Sequence, residues 1–366
     1  MRNFIIAVAG FILLLTSVVP YTVYASEPDD VYGELSDRLD EAFDEYDIGI
    51  GYGSIADLSF GELCSLVKDR LLARLSAPLR MLSAILLIIA VSSVLRTSAG
   101  GTLGGTSGTT FDVICVLSAS SATAPQLIDV YSSAVGEIEL CSGFIVVFVP
   151  VFTAVSAMCG RLTSAGVYHL LILAASEMIT QLSESFLMPV LGVTAALSVM
   201  GSVFSDSSLE TVAGLLKKVS VFGITLVMTL FTGFVTLRCS IAGKADGAAS
   251  KTVRMLISGM VPVVGGAVSD AYSTVRGSFE LIGSTIGAAG VIGIVLLMLP
   301  SILELFAYRG VMLIGAAAAD MFSVPSVSKL LKSFDSGLSI AQCVLICYSL
   351  MFIISSAILA QTIGQG

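Results

Sequence analysis

The sequence predicts an all-α, polytopic integral membrane protein carrying a small exported helical domain at its N-terminus. Three observations lead to that class. Hydrophobic residues make up 55% of the 366-residue chain and charged residues only 12%, against a charged share of about 25% in soluble domains. Mean hydropathy is +0.97, and several apolar runs approach the ~20 residues that a helix needs to cross a bilayer. The net charge of −9 is local: Ser26 to Arg80 holds 13 acidic against 5 basic residues, whereas Met81 to Gly366 holds 14 against 12. An acidic exported segment argues against nucleic acid or anionic lipid as its partner.

The N-terminus comes first. Arg2 precedes an apolar stretch from Phe4 to Val19, and "VYA" at Val23–Ala25 offers small residues for cleavage. That pattern fits a signal peptide over 1–25, with an uncleaved first transmembrane helix as the alternative. Either way Ser26 onward is delivered outside the cytoplasm.

Residues 26–80 then read as the exported domain, most of it a helical hairpin. Val31, Leu35, Leu39 and Phe43 recur every four residues with acids between them, one amphipathic face. "DIGIGYGS" supplies a turn, and Ser59 and Glu62 have capping-box spacing ahead of Phe60, Leu63, Val67 and Leu71. So short a segment buries little core alone, so it is expected to pack on the membrane domain or on a partner.

Residues 81–366 form the membrane domain. Its apolar segments are Met81–Leu95, Phe111–Val135, Cys141–Met158, Val167–Leu182, Phe186–Phe204, Val219–Leu237, Ile282–Leu299, Ile302–Met321 and Leu338–Leu359. With the N-domain outside, the positive-inside rule places Arg96 inside, "GEIEL" at 136–140 outside, Arg161 inside and "SES" at 183–185 outside. The basic stretch of Arg238, Lys244, Lys251 and Arg254 then lands outside unless Phe186–Phe204 enters and turns back.

An internal echo supports such a return. "VFGITLVM" at Val221 matches "VIGIVLLM" at Val291, and "SLE" at Ser208 matches "SFE" at Ser278. "PVLG" from Pro189 to Gly192 matches "PVVGG" from Pro262 to Gly265 and Gly266. Units 186–237 and 258–300 would be inverted repeats with interrupted segments, a sign of a transporter-like core. The count is then eight spans plus two re-entrant segments, or nine plain spans.

A proline removes a backbone donor and glycines permit a turn. Polar backbone of that kind is tolerated at membrane depth only inside protein or beside a wet cavity. Asp270, Arg276 and Glu280 follow the second break and would stand at the cavity mouth; an ordinary loop with a neighbouring amphipathic helix is the alternative. Glu304 and Arg309 lie inside an apolar segment. They should face protein or water; five residues apart they are not helix-face neighbours, which allows each a different partner, in structural pairing or along a pathway.

Other chemistry finds little footing. One histidine and seven cysteines without a C-x-x-C pair give no expected zinc, iron–sulfur or other cofactor site. Glu177 lies eight residues from His169, on roughly the same helix face. "GGTLGGTSGTT" at Gly100–Thr110 lacks the Lys-Ser/Thr ending of a phosphate loop. The "GTSG" within it, around Ser107, looks like the serine motif of rhomboid proteases, but His169 has no supporting motif. An enzyme is not expected.

The stretch from Arg254 to Phe322 contains "VPVVGGAVSDA", then "GVIGIVLLMLPSILEL", then a small-residue run ending in Asp320. It resembles the stage III sporulation protein AE family, with a looser likeness over about Phe111 to Leu359. The resemblance implies a multi-pass protein of the mother-cell membrane around the forespore. It also implies membership of a multiprotein secretion-like assembly that joins a forespore membrane protein in a channel sustaining late forespore gene expression. Its expected partners are the other membrane proteins of that stage III assembly, the forespore membrane protein and the lipid bilayer. Its role would be a permease-like core or a scaffold, with an independent secondary transporter of a small solute as the alternative. The family offers no catalytic residues to carry over.

Overall fold

A computed structural model describes residues 29–46, 48, 60–98, 106–204, 207–260 and 265–364. The expected signal peptide, the "DIGIGYGS" turn apart from Ile48, and Pro262 lie outside the described residues. Among those described there is no strand. The helices are α1 (Asp29–Glu45), α2 (Phe60–Arg74), α3 (Ser76–Ser98), α4 (Thr106–Met158), α5 (Leu162–Leu182), α6 (Met188–Phe204), α7 (Ser207–Met260), α8 (Gly265–Met321) and α9 (Pro325–Gly364). A π-helical turn, Ser183–Leu187, joins α5 to α6 without a break.

Among the described residues, six runs are long and apolar enough to cross a membrane: Ser65–Ser98, Thr110–Met158, Leu162–Phe204, Thr211–Val253, Arg276–Met321 and Pro325–Gln361. The nine expected segments are therefore joined pairwise in three places. Phe111–Val135 and Cys141–Met158 share α4, Ile282–Leu299 and Ile302–Met321 share α8, and Phe186–Phe204 continues α5 through the π-turn. The expected return of Phe186–Phe204 is absent, because those residues run on as helix.

The cause is visible at each junction. Polar residues that read as loop signals are satisfied by protein. Glu137 and Ser301 both bond to Arg74, and Ser183 is buried in the π-turn.

Side-chain contacts fix the register of an elongated up-and-down bundle. At one end, Arg96 bonds the Ser323 carbonyl at 2.6 Å and lies 3.6 Å from Asp112. Midway, Arg74 bridges Glu137 of α4 and Glu304 of α8. At the other end, Asp246 of α7 meets the start of α5. The helix α4 thus runs antiparallel to α8, and α9 antiparallel to α8, along the whole length. From Asp112 to Met158 a straight helix extends about 69 Å, over twice the ~30 Å hydrocarbon core. Arg96 and Arg161, expected on one side, stand at opposite ends because α4 does not turn back at 136–140.

Two reverse turns have a physical logic. After α4, Gly160 takes φ 78°. Gly160 N–H then bonds the Ala157 carbonyl and Arg161 N–H the Ser156 carbonyl, a Schellman motif. After α8, Ser323 takes φ 58°, Val324 N–H bonds the Ala319 carbonyl at 2.8 Å, and Pro325 opens α9.

The interior between Glu137 and Arg161 is a ring-and-glycine seam. Phe144, Phe148 and Phe152 of α4 are fully buried. They sit on Gly293, Gly290 and Gly287 of α8, where the missing side chains let the backbone approach. Phe43 of α1 packs edge-on to Phe144 with centroids 5.6 Å apart, a geometry that adds about 0.5–1.5 kcal/mol to area burial. The amphipathic face of α1 therefore docks on the bundle through Leu39 and Phe43.

Candidate functional site

Charged side chains inside apolar helices are expensive and need partners; three groups of them lie along the bundle. The first surrounds Pro300. A proline has no N–H, so the Leu296 carbonyl one turn earlier loses its helical donor. The Arg70 guanidinium supplies one, at 3.2 Å. One turn further along α2, Arg74 Nη1 donates to Ser301 Oγ at 2.7 Å, Glu137 Oε1 at 3.0 Å and Glu304 Oε2 at 3.3 Å. Glu304 also lines a small pocket with Val130, Ser133, Ala134, Ser301 and Leu305. Two arginines of α2 thus clamp α8 around Pro300.

The second group joins α8 to α9. Arg309 Nε donates to Asp335 Oδ1 at 2.7 Å, and Nη1 donates to Gln342 Oε1 at 2.7 Å. Lys217 of α7 lies within electrostatic reach of both charges, and Tyr131 of α4 within reach of Asp335. Gln342 and Tyr131 are buried, and Gln342 Nε2 and the Tyr131 hydroxyl make no hydrogen bond.

The third group closes the far end. Both oxygens of Asp246 serve the start of α5, accepting from Thr163 N–H at 3.0 Å and from Ser164 N–H and Oγ at 2.8 and 2.7 Å. Arg161 donates to the Gly243 carbonyl at 3.3 Å. Burial and the nearby Arg276 guanidinium lower the Arg161 pKa, while Glu280 and Asp246 oppose that shift. Burial and Glu280 push the Cys159 thiol up to about 12 against the pull of Arg276 and Arg161, so it stays a thiol at neutral pH.

The sequence profile of the family described as "Stage III sporulation protein AE" matches residues 52–362. The chain belongs to that family. One relative, "Stage III sporulation protein AE" of Bacillus subtilis (strain 168), is 26% identical over 154 residues. That match spans 42% of this chain and 39% of the relative. No solved structure matches.

Within this family member, the expected site residues fall in different places. Glu304 and Arg309 have separate partners, as their spacing allowed. Arg276 and Glu280 bond each other at 2.9 Å one turn apart, in the third group. Gly265, Gly266 and Asp270 form the start of α8, and the Asp270 side chain is not described. Pro189 and Gly192 lie on an exposed face of α6 and line none of the three groups. Ser107 falls in the first turn of α4. His169 pairs with Thr153 near the opposite end, at 3.3 Å, and Glu177 bonds Gln181 rather than His169. Sequence reasoning missed Arg70, Arg74, Glu137, Asp246 and Asp335. The available signal was the i, i+4 spacing of Arg70 and Arg74, which puts both on one helix face.

Proposed function

We propose that this chain is an integral membrane component of the sporulation channel assembly between mother cell and forespore. In it the chain acts as a scaffold that ties an exported helical domain to a membrane bundle. Family membership supports the setting. The observation that carries the role is the Arg74 bridge, in which one guanidinium holds α2 against both α4 and α8. The filled Phe144–Phe148–Phe152 seam fits a scaffold better than an open conduit. In this reading the N-terminus is exported and the Arg161 end lies outside the cytoplasm with the Arg96 end inside; the packing of α1 and α2 on the half of the bundle between Glu137 and Arg161 supports it.

The test is co-purification of the full-length chain with the other membrane proteins of the assembly from sporulating cells. Glu304→Gln keeps Arg74 bonded to Glu137 and should preserve both partner recovery and late forespore gene expression. Loss of that expression with partners still recovered would contradict the scaffold role.

A second reading, an independent secondary transporter of a small solute, is favoured by the Arg309–Asp335–Gln342 group with its unbonded buried Gln342 and Tyr131 atoms. It predicts that Asp335→Asn abolishes sporulation while the assembly stays intact. We propose no enzymatic role, and normal sporulation after His169→Ala and Ser107→Ala together is the expected result.

A further inference from the structure

The cysteines of this fold fall into two kinds. Among the described residues, Cys115, Cys141, Cys159 and Cys239 are buried, whereas Cys343 and Cys347 are partly exposed. The sulfurs of that exposed pair meet, with Sγ 4.0 Å from Sγ across one turn of α9. A spacing of four residues returns both side chains to one face of the helix. That face is turned towards α7, where Thr225 Oγ1 stands 3.8 Å from Cys343 Sγ. Thr225 is itself exposed, so the pair sits where the seam between α7 and α9 opens to the surface.

Two sulfurs at this separation match the bite of a single metal ion. With a metal–sulfur bond of about 2.3 Å, two thiolates on one ion stand about 3.8 Å apart at a tetrahedral angle and about 4.6 Å apart in a line. The same placement does not suit a disulfide, whose Cβ atoms must approach to about 3.5–4.5 Å; Cβ atoms one helical turn apart are about 5–6 Å from each other. The donor set then selects the ion. Soft thiolates favour Cu(I) and zinc, but a structural zinc site takes four ligands. Among the described residues no group of three His, Cys, Asp or Glu side chains comes together. Cu(I), a soft ion of low charge, is the one that two sulfurs suit.

We propose that Cys343 and Cys347 form a two-sulfur binding site for Cu(I) on the seam between α7 and α9. Both thiols ionise as the metal binds, because the thiolate is the ligand. Two protons leave to solvent, and the loaded site carries one net negative charge. A partly exposed position tolerates that charge, whereas the closed core around the other cysteines would not. The site is independent of the scaffold role above.

The experiment uses the full-length protein in neutral detergent, without oxygen and without thiol reductant. Cu(I) is offered as its coloured bicinchoninate complex, and capture by the protein is read as loss of that colour. The wild type should take up one equivalent, and more strongly as pH rises, since the thiols must lose their protons. Copper X-ray absorption on the loaded wild type, which needs no variant, should show two sulfur atoms as the nearest neighbours.

Cys343→Ser and Cys347→Ser should each weaken uptake about a hundredfold or more, because even the hydrogen-bond partners of metal ligands are worth about 10–100-fold. Cys115→Ser, at a buried thiol, should leave uptake unchanged. No uptake by the wild type overturns the site. So does undiminished uptake when Cys343→Ser and Cys347→Ser are combined, or an absorption spectrum in which nitrogen or oxygen neighbours dominate.

Discussion

Gly290 of α8 lies directly beneath the ring of Phe148 of α4, so close that a methyl group added at residue 290 would overlap the ring. Phe148 is itself locked, stacked on Phe144 at 5.6 Å and tilted against Phe152 at 5.6 Å. Relief by ring movement is therefore blocked on both sides.

Gly290→Ala should destabilise the protein by about 1–3 kcal/mol through overpacking. Gly310, on the same helix, has no atom within 4 Å of an added Cβ. Gly310→Ala should therefore stabilise by up to about 1 kcal/mol from helix propensity alone. Thermal unfolding of the two variants in one detergent checks the contrast, and equal effects would contradict the seam.

Arg70 and Pro300 should behave as a coupled pair. Arg70→Met strands the Leu296 carbonyl and should cost about 1–3 kcal/mol. In a Pro300→Ala background residue 300 regains its N–H, the helix satisfies that carbonyl itself, and the same Arg70→Met change should cost much less. A double-mutant cycle measures the difference; additive costs would show that Arg70 acts elsewhere.

Ion pairs at different depths should differ in strength. Arg309 and Asp335 have side chains 21% and 14% exposed, whereas Lys332 and Asp320 are 57% and 49% exposed. The exposed pair should show a coupling of about 0–1 kcal/mol. The Arg309–Asp335 coupling should be larger, about 1–3 kcal/mol, and less sensitive to salt.

Ser323 is held at φ 58°, where a side chain is penalised and glycine is not. Its carbonyl keeps Arg96 whatever the side chain. Ser323→Gly should raise the unfolding midpoint by an amount equivalent to about 1 kcal/mol, and a lowered midpoint would contradict the turn geometry.

Much of this fold was legible from the sequence, and its failures lie at the junctions between apolar runs. Hydrophobic periodicity found the amphipathic face of α1, and Leu39 and Phe43 are buried as it required. The five-residue spacing of Glu304 and Arg309 left room for separate partners, and they have them. What misled was the meaning of a charge between two apolar runs. Glu137 in "GEIEL" reads locally as a solvent loop, but Arg74, 63 residues away in sequence, makes it part of a helix–helix contact. Ser183 in "SES" misleads for a local reason instead, since a π-turn lets the helix pass through it. Pairing across the chain is invisible to local pattern, so three helix breaks were expected where the helices continue, and Arg96 and Arg161 were assigned to one side.

The continuity of α4 is the claim on which this architecture rests. A pulsed electron–electron distance measurement tests it most directly, with spin labels at Leu117→Cys and Met158→Cys, both exposed positions on α4, and the seven native cysteines replaced. A single helix predicts a separation of about 60 Å. A separation of about 10–20 Å, that of neighbouring helices in a hairpin turning at 136–140, would contradict it.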